Sequence, residues 1–410
     1  MCNISPFPPA NAVARSSGLS AGEQPALGKR ANLRPASNNS RIRYDTRRRL
    51  SAAIRARQLA EHRSRLCGCV PVPKRGAVQI HADVSGACRY VSLYHCASAT
   101  VCPVCAATIR ARRAQEIIYA GRRMIQAGYT YVFATYTAAH GPHTKLREFV
   151  KQFNEAARKM KSGRAWQTFA ARWAVRHSIR TVEVTDDVPS ADERSGWHYH
   201  CHIVIFLEKQ YLTEKEAKKM KSEMADMWLH ALDRVGLSAS RANGVDVDLP
   251  RIPVGASGTE AIKPLAQYVC KNIAWEMTAQ ATKVGAMERR NSIWAMQRQA
   301  LTTHPELLPR LEEYIRAMRG IAWMTWTQGL RHFVGLSDIS DAELLEGAAA
   351  TPIYTLTQAD LTAVSRQGGQ RKLLDAAEAG GVEGIKAALT AAHAGYDILT
   401  GDPWRPPDDG

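Results

Sequence analysis

The sequence predicts an α+β protein whose centre is a largely antiparallel sheet of the ferredoxin-like or split-βαβ kind. Helices are expected on one face, with a small zinc-binding module before the sheet and a helical appendage after it. Three observations predict this. Segments rich in β-formers alternate with segments of helical periodicity, in the order β-α-β-β-α-β-α, between residues 128 and 275. Six of the nine cysteines crowd between Cys67 and Cys105. After residue 337 the chain turns rich in Ala, Gly and Leu and carries no cysteine.

Residues 1–65 read as a basic, disordered arm, opening with Pro, Ser, Asn and Ala and ending in RIRYDTRRRLSAAIRARQLAEHRSR. Its later half, from Thr46, has the makings of a helix, with Arg47, Arg48, Arg49, Arg55 and Arg57 placed to sample a nucleic-acid backbone. Residues 66–127 hold the cysteine module and then a basic helix over Ala106–Gln126. Residues 128–336 form the sheet domain. Tyr129–Thr137 reads as a strand; Leu146, Phe149, Val150, Phe153, Ala157 and Met160 keep helical spacing. A Trp-rich helical segment leads to a strand over Ile179–Thr185, and the polar loop DDVPSADERSG turns into the strand WHYHCHIVIFL, Trp197–Leu207. Thr213 and Glu216 have the spacing of a capping box opening a helix to about Val235. Val245–Leu249 is a short strand, and Pro264 suits the first turn of a helix through Trp275. Residues 337–410 are expected to be a separate helical appendage with a disordered tail.

The formal net charge is +17, which favours a polyanionic partner, because each Lys or Arg that meets a phosphate releases a counterion. Nucleic acid leads among such partners. No apolar run nears the roughly 20 residues that span a bilayer, and the N-terminus lacks a secretory h-region, so no membrane partner and a cytoplasmic location are expected. In that setting clustered cysteines suggest metal rather than disulfides.

His198, His200 and His202 alternate along one strand, which puts three imidazoles on one face. Neighbouring imidazoles grip a single ion, and Glu183 on the partner strand adds a carboxylate that hardens the site toward Mn or Mg. The competing reading is an exposed polar face with a salt-bridged glutamate. In KPLAQYVCKNIAWE, Tyr268 and Lys271 lie three apart on one helix face. A cation beside the phenol favours phenolate and neutralises a phosphate under attack. Taken alone, a helical Tyr beside a Lys is more often a core-edge aromatic.

Cys102-Pro103-Val104-Cys105 is a CxxC knuckle with Cys96 before it, and Cys67, Cys69 or Cys88 offers the fourth thiolate of a closed zinc site. Arg110, Arg112 and Arg113 on the following helix are placed to meet DNA phosphate.

Together these residues resemble the replication initiator (Rep) proteins of rolling-circle plasmids, in the HUH endonuclease superfamily. The resemblance runs from about Cys67 to Leu336. It is carried by FATYTAAH with His140, the EVT strand, WHYHCHIVIFL, QYVCK, the later stretch RGIAWMTWTQGLRHFVGL, and the cysteine pattern RLCG then HCASATVCPVCAA. It implies His200 and His202 as ligands, with His198 or Glu183 completing the set, and Tyr268 as the nucleophile that nicks the origin strand, assisted by Lys271. It favours Cys67 as the fourth zinc ligand. One helical turn before the tyrosine, where some relatives carry a water-activating glutamate, this chain has Pro264. The implied activity is metal-dependent DNA nicking at a plasmid origin, with a host helicase as a further partner. The rivals are an HUH relaxase or transposase, and a non-catalytic zinc-containing DNA-binding regulator.

Overall fold

A computed structural model describes residues 37–187, 196–209, 211–248, 291–346, 350–396 and 398. The helix expected from Pro264, with Tyr268 and Lys271, lies outside the described residues.

Helix α1 (Ser37–Arg55) comes first. Leu50, Ala53 and Ile54 sit at i, i+3 and i+4 among the arginines and are buried, so this part of the chain is a packed helix. From residue 37 on, that corrects the disordered arm expected, of which only the part from Thr46 had the makings of a helix, and the apolar triplet is the physical reason. Residues 1–36 of the arm lie outside the described residues. Strands β1 (Gln79–Ala82) and β2 (Cys88–Val91) form an antiparallel hairpin. Helix α2 (Pro103–Gln126) follows, with Pro103 at its first turn.

Strand β3 (Thr130–Tyr136) enters the main sheet. Helices α3 (Leu146–Ser162) and α4 (Arg164–Arg172) lead to the long strand β4 (Val175–Asp187), which pairs with β5 (Gly196–Leu207). Helix α5 (Glu214–Asp233) opens on the expected capping box: Thr213 N donates to Glu216 Oε2 at 2.9 Å and Glu216 N to Thr213 Oγ1 at 3.2 Å. Strand β6 (Val245–Asp248) and the two-residue β7 (Asn291–Ser292) complete the sheet order β6-β3-β5-β4-β7, every pairing antiparallel. Helices α6 (Ile293–Ala300) and α7 (Leu308–Ala317) follow, and β8 (Met324–Trp326) adds to β4. The protein is therefore α+β with antiparallel sheets. β3 and β4 run parallel on either side of β5, joined through α3 and α4.

One sheet face packs Val132, Ala134, Val182, Tyr199, Cys201 and Ile203 against α3 and α5. The expectation of helices on one face only needs correction. Tyr131, Ile179, Val204 and Phe206 point the other way and are covered by Ile117, Ala120 and Met124 of α2 and by α8 (Leu330–Phe333). The run Ile203–Leu207 is apolar at both parities, so it needs cover on both sides.

The remaining elements are α9 (Asp341–Glu346), β9 (Thr351–Thr355), α10 (Gln358–Arg366) and α11 (Gln370–His393). They are not a separate appendage. β9 pairs with β1, and Leu361, Val364, Leu373 and Leu374 share a core with Val78, Ile80 and Tyr90. A two-stranded hairpin buries too little on its own, and the C-terminal segment supplies the third strand and the cover. The cysteine-rich segment and the C-terminus thus fold together, across the boundaries expected at 127 and 337. Among the described residues no helix is long and apolar enough to cross a membrane.

Candidate metal centres

Register places the first centre. Glu183 of β4 stands opposite His200 of β5, with Thr181 opposite His202 and Thr185 opposite His198. All of these lie on the face away from α3 and α5, because Val182, Tyr199 and Cys201 take the other parity. Glu183 Oε2 lies 2.9 Å from His200 Nε2 and 3.1 Å from His202 Nε2. The three form one group able to hold an ion, and both histidines are buried. Burial acts to raise the Glu183 carboxyl. Hydrogen bonds to His200 and His202 outweigh it and hold the group well below the usual carboxylate range. Burial is the leading influence on His202 and lowers its imidazole, which favours the neutral ring that a metal needs.

The other ring nitrogens are occupied from behind. His202 Nδ1 lies 3.0 Å from Thr135 Oγ1, and its ring stacks on Phe133 at 5.6 Å. His200 Nδ1 lies 2.9 Å from His198 Nδ1. As Nε2–H each ring donates to the Glu183 carboxylate. With an ion bound, Nδ1–H would donate backward and each Nε2 lone pair would face the ion, which is how a second layer fixes tautomer and ring angle. His198 stands outside the ligand group, beside His200, and its ring contacts His140 at 4.8 Å. Thr135 and Phe133 escaped sequence reasoning. Alternation along β3 gives them the right parity, but only register brings them against His202.

The second centre is the buried quartet Cys67, Cys96, Cys102 and Cys105. Sγ separations are 3.5 Å for Cys67–Cys105, 3.7 Å for Cys67–Cys102 and 3.8 Å for Cys96–Cys105. Four thiolates at 2.3 Å from a tetrahedral ion stand about 3.8 Å apart, so the donors fit such an ion. Cys69 lies beside the quartet, its Sγ 3.9 Å from Ser51 Oγ, and Cys88 belongs to β2 and the C-terminal core.

The thiols hold Cys67 well below its ordinary value, led by the hydrogen bond from Cys102. Two cations attend the quartet. Burial works against a charged His95, yet Cys105 and Cys67 raise it to about 9. Burial likewise opposes Arg47, and the Cys67 sulfur leads the charges that hold it above its ordinary value. Both lay outside the sequence-based ligand set.

A family model described as a replication protein matches residues 92–341. The chain belongs to the replication protein family. It is also 25% identical over 340 residues to "Protein rep" of Streptomyces lividans, covering 68% of this chain and 72% of that one. No solved structure matches it. The family suggested by the sequence motifs is the family that matches.

In this replication protein the arginines of α2 do not face outward. Arg110 Nε donates to Ala99 O at 2.9 Å, with its guanidinium over the Trp323 ring at 4.8 Å. Arg113 pairs with Glu116 at 2.7 Å and Asp341 at 2.8 Å and donates to Ile339 O. Arg112 donates to Leu344 O. The expectation that these three meet phosphate is corrected. Arg112 and Arg113 hold α9 and the segment before it.

Proposed function

We propose that this replication protein initiates rolling-circle replication of a plasmid by nicking one DNA strand, with Tyr268 as nucleophile and a divalent ion at Glu183, His200 and His202. The observation that carries the reading is the convergence of two imidazoles and a carboxylate on one point in a chain of this family. A carboxylate–imidazole donor set suits Mn or Mg. When bound, such an ion polarises the scissile phosphate. Glu183, His200 and His202 hold the site in place through rigid strands, and Thr135 and His198 orient the two rings.

Tyr268 lies in the segment 249–290. Its described ends are β6, paired with β3 on one side of β5, and β7, paired with Thr185 and Asp186 on the other. That anchoring on both sides of the histidine strand supports the role. In the proposed step the Tyr268 oxygen attacks the phosphorus, its proton leaves to a base, the phosphorus–O3′ bond breaks, and the departing O3′ takes up a proton from water. The product is a 5′-phosphotyrosine and a free 3′-hydroxyl that serves as primer. Lys271, three residues on in the sequence, would favour the phenolate. The cysteine quartet suits zinc in a closed structural site.

Incubation with a labelled single-stranded origin oligonucleotide and Mn tests this. The expected result is a covalent protein–DNA adduct that Tyr268→Phe abolishes. Tight binding without an adduct supports the non-catalytic DNA-binding regulator instead.

A further inference from the structure

With Arg110, Arg112 and Arg113 turned inward, the basic surface of a chain of net charge +17 must lie elsewhere. A basic cavity of about 690 Å³ is bordered by Arg41, Arg48 and Arg49 of α1, Arg298 near the end of α6, and Arg371 and Lys372 in the first turn of α11. Three remote parts of the chain bring these side chains together.

Among the described residues three carboxylates attend four of these cations. Asp45 serves both Arg48 and Arg49 at 3.0 Å. Asp375 serves Arg41 at 2.8 Å and Arg371 at 2.7 Å, and Glu378 adds a contact to Arg371 at 2.6 Å. Sharing of this kind holds the guanidinium groups in place, and among the described residues the five arginines of the groove outnumber these carboxylates. Each guanidinium has five N–H donors, so one shared carboxylate does not exhaust it. The lining contains no aromatic side chain. Single-strand binders use aromatic platforms for the bases, whereas a basic track without them suits phosphates of a paired backbone.

The groove is also placed for DNA. Helix α6 starts where β7 pairs with Thr185 and Asp186, close to Glu183 along β4. Its eight residues span about 12 Å and carry the chain from the metal centre to Arg298. Residues 41–49 and 371–372 fall outside the family match at 92–341, so the groove is built largely by parts of this chain that the match does not include.

We propose that this groove binds the phosphate backbone of duplex DNA flanking the cleavage site, and that α11 joins α1 to form it. The proposal rests on the reading of the chain as a DNA-acting replication protein. It gives the C-terminal segment a role in holding DNA.

The test is a salt titration of full-length protein binding to a duplex of about 30 base pairs, for wild type and Arg298→Ala/Lys372→Ala. Each lost phosphate contact lowers the slope of log K against log salt by about 0.9. The double variant should lose between one and two units of slope and bind about tenfold more weakly at 0.15 M salt. Lys218→Ala/Lys219→Ala, at exposed positions of α5, should change the slope far less. Arg298→Gln and Lys372→Gln made singly should each lose about one unit, which guards against misfolding of the pair. An unchanged slope overturns the proposal, and so does an equal loss on a short single strand. A groove-dependent slope in a protein that forms no tyrosine adduct leaves the groove standing and removes the nicking reading alone.

Discussion

Arg47 packs against the backbone of Gly68 so closely that a Cβ built on Gly68 would stand 2.3 Å from Arg47 Cζ. Gly68 follows a quartet cysteine directly and takes φ +72, a region that favours glycine. Arg47 is 1% exposed, and none of its three guanidinium nitrogens has a hydrogen-bond partner. An isolated buried cation costs several kcal/mol. Arg47 lies over the Tyr44 ring at 4.6 Å, and charge on the neighbouring sulfurs, led by Cys67, adds compensation. Four thiolates around a divalent ion carry a net charge of two minus, which supplies it.

Gly68→Ala is therefore expected to destabilise the protein by about 2 kcal/mol or more in urea unfolding, since strain and the Arg47 clash add. Arg47→Leu is expected to weaken metal retention at the quartet about tenfold in chelator competition. Removal of the ion from wild type should speed amide exchange in α1, whose Arg47 then lacks compensating charge.

Arg113→Ala should act on stability rather than on DNA. Its removal takes one partner from half-buried Asp341, which keeps Trp323 Nε1 at 3.1 Å, and one from buried Glu116, which Arg331 still reaches at 2.9 Å. A loss of about 3 kcal/mol is expected, with an unchanged salt slope for duplex binding.

His62 sets a pH dependence. Its Nδ1 accepts a hydrogen bond from Ser64 N at 3.1 Å, capping the 3-10 turn Arg63–Leu66, and this requires the unprotonated nitrogen. Burial, followed by the charges of Arg63 and Arg319, lowers the imidazole to about 4. The unfolded state binds the proton first, so this contribution is complete above pH 6.5. It is lost as pH falls toward 4, amounting to at most about 3 kcal/mol. His62→Asn keeps a cap acceptor without a titrating group, and unfolding free energies measured from pH 7 to 4 should be flatter for that variant.

Leu373 of α11 is fully buried against the β1–β2 hairpin core. Leu373→Ala should cost about 2–5 kcal/mol and loosen the cysteine segment, detectable as faster exchange at Ile80 and Tyr90. An independent appendage would show no effect at those residues.

Much of this was legible in the residues. Period-two spacing put His200 and His202 on one face, and the Thr213–Glu216 pair marked the start of α5. The CxxC knuckle likewise pointed to a thiolate centre. What escaped was long-range. Nothing local distinguishes an outward arginine from Arg113, whose partner Asp341 is remote in sequence. Leu50 and Ile54 are a thin apolar signal among arginines, so the helical half from Thr46 was legible but its packing into the core was not. TPIYT carries no mark that it pairs with β1. His198 shares the alternation of its neighbours, and only side-chain geometry separates it from the ligand group.

The most direct measurement is Mn binding by calorimetry together with cleavage of a labelled single-stranded origin oligonucleotide, for wild type and His202→Ala. With zinc retained in the cysteine quartet, wild type should bind one further ion, and His202→Ala should lose both that ion and at least about 99% of cleavage. Mn-dependent cleavage that survives intact in His202→Ala would contradict the account.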